Sequence, residues 1–169
     1  VINLKTTGRT LVYDVDEKLW HEWSTNTAGN HGVFTYDFMC DPGLGYALVL
    51  HSTNGTIYKV DVNSYVDNET TILCDIVTNK YDMDSYHRKF MSSLKLVGDS
   101  YSPNNIVSFY WTDDDYQTWS NEKQINMNDD FPAFQRLGSF RRRAFRFFHN
   151  SNAPLRLESV EVEYQEGAT

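Results

Sequence analysis

Apolar residues recur at every second position through much of the chain. Val33-Phe34-Thr35-Tyr36-Asp37-Phe38-Met39 alternates in this way, and so does Thr56-Ile57-Tyr58-Lys59-Val60-Asp61-Val62. Thr10-Leu11-Val12-Tyr13-Asp14-Val15 is β-branched and aromatic, with apolar residues at every second or third place. A period of two puts successive side chains on opposite faces of a strand. The unbroken apolar run over 46–51 is the pattern of a strand covered on both faces. Further strands are expected over 71–77, 90–97, 106–111, 145–148 and 155–164. In the last of these Leu155, Leu157, Val160 and Val162 carry the apolar positions, with Glu158, Glu161 and Glu163 between them. No segment holds the i, i+3, i+4, i+7 spacing for a dozen residues. The chain reads as all-β.

Turn chemistry separates these runs at Asp41-Pro42-Gly43-Leu44-Gly45, Ser52-Thr53-Asn54-Gly55, Tyr101-Ser102-Pro103-Asn104-Asn105 and Asn150-Ser151-Asn152-Ala153-Pro154. Asn54-Gly55 predicts a type I′ hairpin joining the strand that ends near His51 to the one that starts at Thr56. Asn54-Gly55-Thr56 and Asn68-Glu69-Thr70 also match the glycosylation sequon and are read as turns. Val12-Tyr13-Asp14-Val15-Asp16 returns in outline as Ile57-Tyr58-Lys59-Val60-Asp61. Such a spacing suits a four-stranded propeller blade of about 40–45 residues. The expected fold is therefore a set of β-propeller-type, four-stranded antiparallel blades forming a partial propeller, with a β-sandwich as the alternative. Residues 1–80 would hold two blade-like units and 81–169 a C-terminal β unit.

With 169 residues the chain can bury a substantial core. No apolar run approaches a membrane span of about 20 residues. The start at Val1 shows neither a basic leader nor a Met, which suggests a piece of a longer or processed chain. A net charge of -8 argues against bulk electrostatic coating of nucleic acid or anionic lipid. Cys40 and Cys74 make no disulfide framework; two buried free thiols are expected, with a single bridge as the alternative. The four tryptophans, Trp20, Trp23, Trp111 and Trp119, are expected to anchor the core.

Enzyme templates find no footing. GxSxG, GxGxxG, P-loop and CxxC patterns are absent, and His21, His31, His51, His87 and His149 are scattered without metal-ligand spacing. No catalytic residue, metal or cofactor is expected. Two segments stand out. In the first, Thr112, Asp114, Thr118 and Trp119 match an Asp-box turn, Ser/Thr-x-Asp-x-Gly-x-Thr-Trp, with Tyr116 where the motif wants Gly. In such a turn the Asp side chain caps backbone amides and the Trp packs under the sheet, while Tyr116 puts a positive φ in doubt. The Asp113-Asp114-Asp115 run is read as architecture in preference to a hard-cation site. The second segment, from Arg136 to Phe148, carries Arg136, Arg141, Arg142, Arg143 and Arg146 and no acid. Salt bridges to nearby acids or to another subunit, or contacts to DNA phosphate, would each use them. Asp113 to Asp115, Asp129, Asp130 and the glutamates of 158–163 are the candidate partners.

The order of these features resembles the C-terminal part of tail-hub, or nozzle, proteins of short-tailed bacteriophages, also called packaged-DNA stabilisation proteins. The resemblance rests on the Leu19-Trp20-His21-Glu22-Trp23-Ser24 segment, Gly55-to-Asp61, the Asp-Asp-x-x-x-Thr-Trp-Ser box with Asn121-Glu122 after it, and Arg136-Leu137-Gly138-Ser139-Phe140-Arg141. It implies a non-enzymatic virion protein, assembled in the bacterial cytoplasm. It would form a homo-oligomeric ring below the portal that retains packaged DNA and lines the ejection conduit. Its partners would be further copies of itself, neighbouring tail and portal proteins and, transiently, genomic DNA, with no membrane and no small-molecule substrate. The alternative is a carbohydrate-binding or glycan-active β-propeller module.

Overall fold

A computed structural model of the chain describes residues 1–100 and 105–168; the turn expected at Tyr101 to Asn104 lies outside them. Among the described residues every named element is a β-strand, and every strand pair is antiparallel. Among the described residues no helix is long and apolar enough to cross a membrane. Contacts divide the chain into two compact units, Val1–Leu73 and Cys74–Thr169.

In the first unit β1 (Ile2–Leu4), β2 (Arg9–Asp14), β3 (Leu19–Thr27) and β4 (Asn30–Val33) form a four-stranded meander. A three-stranded meander follows, made of β5 (Tyr36–Cys40), β6 (Ala47–His51) and β7 (Ile57–Val60), then the small hairpin β8 (Val66–Asp67) and β9 (Thr70–Thr71). The hairpin after His51 forms, but its turn is not type I′. His51 N donates to Thr56 O, so four residues lie in the loop, and of Asn54 and Gly55 only Gly55 has a positive φ, 68°. The His51 imidazole and the Asn54 side chain accept loop amides, which favours the longer turn. Type I′ character belongs instead to Asn68 and Glu69, with φ of 45° and 70° between β8 and β9. Both sequon segments are thus turns.

Two expectations about burial fail in this unit. β6 is central but covered on one side only: Val49 is buried and Leu50 exposed. Trp20 does not anchor a core, being 58% exposed, and pairs across β2–β3 with Tyr13 at 5.0 Å between ring centroids. An open sheet with one solvated face leaves such a cross-strand pair outside. The two copies of the faint repeat also occupy different places, one in the second strand of the first sheet and one in the outer strand of the second.

The second unit contains β10 (Cys74–Val77), β11 (Lys89–Gly98), β12 (Ile106–Thr112), β13 (Lys123–Asn126), β14 (Ala133–Gln135), β15 (Ser139–Phe140), β16 (Ala144–His149) and β17 (Leu157–Glu166). One sheet runs β10-β16-β12-β13; in the other, β11 pairs with β17 and also with β14 and β15. Their inner faces share one apolar core built on Met91, Leu94, Leu96, Phe109, Phe134, Leu137, Phe145 and Phe147. Phe109 is its centre, stacked on Phe134 at 4.7 Å and close to Phe145 and Phe147. Burying each such ring contributes about 1.5–3 kcal/mol.

The β11–β17 ladder contains two register shifts, which place an extra residue at Ser92 and at Glu158. Each bulge reverses which side chains face inward. Met91 and Leu94, though three apart, both enter the core, and Leu157 and Val160 both pack on it. Gly98 lies at the second shift, where a Cβ would sit 2.1 Å from the Arg156 carbonyl oxygen.

Candidate functional site

The box-like turn follows β12. Asp114 Oδ1 accepts the backbone N–H of Gln117 at 3.1 Å and of Thr118 at 2.9 Å, and the hydroxyls of Thr112 and Thr118 donate to the same carboxylate. These donors hold the Asp114 carboxyl at about 2, well below its ordinary value, the Thr118 hydroxyl being the largest cause. The missing glycine does not remove the left-handed conformation. Asp115 and Tyr116 both have positive φ, 60° and 68°. The Tyr116 side chain offsets that strain: its hydroxyl donates to Thr78 O at 3.0 Å, Lys80 lies over its ring, and Trp119 packs beside it. Trp119 itself is half-buried.

The same turn receives the arginine-rich segment. Arg143 is 2% exposed and grips Asp113 with two bonds, Nε to Oδ1 at 2.7 Å and Nη2 to Oδ2 at 2.8 Å. Its Nη1 donates to Leu137 O, and its guanidinium faces Phe140 at 4.4 Å and Trp111 at 5.2 Å. Arg142 lies 3.5 Å from Asp115, which also accepts from Lys80 at 2.6 Å. Arg146 projects from β16 and grips Asp75 of β10 with two bonds of 2.7 and 2.9 Å. That pair is surrounded by Tyr110, Trp119 and Phe148, each within about 6 Å of the guanidinium. Arg141 donates to Tyr86 O, and Arg136, Arg141 and Arg142 are exposed. Of the expected partners Asp113 and Asp115 take arginines, while Glu161 approaches Lys95, Glu163 accepts from Ser93 and Glu158 faces Arg156.

Sequence reasoning missed Asp75, because its pairing to Arg146 depends on the β10–β16 register. Lys89 was missed as well: it is fully buried, with its ammonium donating to the Ser85 and Arg141 carbonyls. Cys40 and Cys74 are both free thiols, but Cys40 is exposed, since it ends an outer strand, and Cys74 is half-buried, with burial raising its thiol pKa.

The first unit contains a cleft of about 860 Å³ between its two meanders. A row of rings runs along it: Trp23 to Phe34 at 5.5 Å, Phe34 to Tyr36 at 5.1 Å and Tyr36 to Tyr58 at 5.7 Å. The Tyr36 hydroxyl donates to Asp67 at 2.5 Å, and burial followed by that bond raises its pKa far above the ordinary phenol value. Among the described residues no group of three His, Cys, Asp or Glu could hold a metal ion. No family model matches the chain, and no curated protein matches it.

Proposed function

We propose that the chain is a structural, non-enzymatic part of a short-tailed phage tail. In this reading copies assemble into a hub or nozzle ring below the portal, holding packaged genome in the head and forming part of the ejection conduit. The meanders of the first unit act as blades of a propeller completed by neighbouring chain, and the second unit acts as a self-contained sandwich. The protein would reside in the virion after assembly in the host cytoplasm, against itself and against tail and portal proteins. The observation that carries the reading is the unfinished burial of the first unit. Its sheets bury only Tyr36 and Val49 among their large hydrophobic residues, while Ile2, Trp20, Val33, Phe38, Leu44 and Ile57 are all exposed. Open sheet edges and apolar faces of this kind mark association surfaces.

Sedimentation of the purified chain tests the reading, with closed oligomers larger than a dimer expected as concentration rises. A monomer at all concentrations that also binds no apolar dye would overturn it. In this reading DNA contact falls to the exposed arginines. R141A/R142A is expected to weaken duplex binding and to reduce the salt slope by about 2. An unchanged slope would assign both side chains to protein contacts.

A further inference from the structure

We infer that the cleft of the first unit is a binding site for a neutral oligosaccharide. The inference goes beyond a structural role in the tail and rests on different residues. A cleft of about 860 Å³ has the size of a ligand site, which lies at about 300–1,000 Å³. Its lining combines two kinds of surface. Trp23 of the first meander and Tyr36 and Tyr58 of the second line it; Tyr36 is buried, edge-to-face with Tyr58, while Trp23 and Tyr58 are only half-buried. Glu22, Asp61 and Asp67 supply carboxylate acceptors around them. A pyranose presents the matching pair of surfaces, an apolar C–H face and a rim of hydroxyl donors. Aromatic rings with a polar handle serve such amphipathic ligands at low entropic cost.

Charge decides the ligand class. The first unit carries four Lys and Arg against nine Asp and Glu. Of the lining acids, Glu22 is held from outside the cleft by Arg9 in a two-bond pair, and Asp61 is reached by Lys59 at 3.0 Å. Hydrogen bonding lowers the pKa of both acids, so both are ionised at neutral pH. A phosphate, sulfate or sialic acid would meet this wall as a like charge. A quaternary ammonium would find no cage, because the rings pack against one another at 5.1–5.7 Å and enclose no central space. Each carboxylate already accepts a protein donor and keeps further lone pairs for sugar hydroxyls, an arrangement suited to holding a glycan.

The full chain is titrated with cello-, malto-, chito- and mannohexaose at millimolar concentration, with Trp fluorescence and thermal unfolding as readouts. At least one is expected to change Trp23 emission and to raise the midpoint by about 5 °C or more at ten times its Kd. W23F keeps an aromatic ring, smaller than the indole, and removes the reporting fluorophore; it is expected to abolish the emission change while leaving a midpoint shift. E22Q, on the exposed rim, is expected to weaken binding about tenfold without lowering the sugar-free midpoint by more than a few degrees. Absence of any shift across the four sugars would overturn the inference. So would an equal response to heparin, or a response that E22Q leaves unchanged.

Discussion

Removing Asp113 strands a charge that has nowhere to go. The Arg143 side chain is 2% exposed, whereas the Asp113 side chain is 40% exposed, so the pair is buried from one end only. In D113A the guanidinium loses two short charged hydrogen bonds and keeps the Leu137 carbonyl and the faces of Phe140 and Trp111. Arginine cannot shed its proton, so the cost is that of an uncompensated buried cation, about 3–5 kcal/mol. R143M is a different perturbation. Methionine fills much of the same space, and Asp113 turns to water. What is lost is one hydrogen bond to Leu137 and two ring contacts, about 1–2 kcal/mol. D113A/R143M should cost close to R143M alone, so the coupling between the sites equals nearly the whole D113A cost, about 3–5 kcal/mol. Native-state hydrogen exchange of amides in β12 and β16 reads this directly, because those strands form the middle of their sheet and open only with the unit. If D113A cost no more than R143M, or the double variant were additive, the guanidinium would be reaching solvent. The pair would then be a surface bridge worth at most about 1 kcal/mol.

Two further outcomes concern pH. Asp114 has a folded pKa of about 2 against an ordinary 3.8, so its turn contributes fully above pH 3.8 and that contribution is lost as pH falls toward 2. Acid unfolding of the wild type should steepen in this window; D114N should lack that part of the slope, and identical acid limbs would deny the cap its role. His149 is buried at the end of β16 with an unpaired Nε2, and burial lowers its pKa below the ordinary 6.5. The unfolded chain therefore takes up a proton first. Stability is full above pH 6.5 and falls as pH drops below it, and H149L should flatten that decline in thermal unfolding followed by circular dichroism, whereas an unaltered profile would place the titration elsewhere.

The strands were legible because alternation is local, and even the irregularity of the last one was written in the pattern. The apolar positions Leu155, Leu157, Val160 and Val162 slip phase between the second and third, and the extra residue at Glu158 is where the ladder slips. Partnership was not legible. Which acid meets which arginine depends on register across strands some 70 residues apart, as with Asp75 and Arg146. Turn type also escaped at Asn54-Gly55, because the His51 imidazole competes for the loop amides. At Tyr116 the rule that glycine is needed for positive φ gave way to the hydroxyl bond to Thr78 and to packing against Trp119. The cleft was not readable at all, since Trp23, Tyr36 and Tyr58 come from three strands of two sheets and meet only in the folded unit.

The charge of the first unit constrains how copies could meet. A surface with nine acids against four bases repels its own copy, so association through its sheets must be driven by the apolar residues it leaves outside. Salt screens that repulsion over a Debye length of about 8 Å at physiological ionic strength and leaves the apolar contribution in place. The proposed contacts from Arg141 and Arg142 to phosphate would respond in the opposite sense, because salt competes for the phosphates. In the proposed assembly raising salt should therefore tighten association while loosening any bound DNA. An assembly held together by the arginines, as cross-subunit bridges, would weaken along with DNA binding.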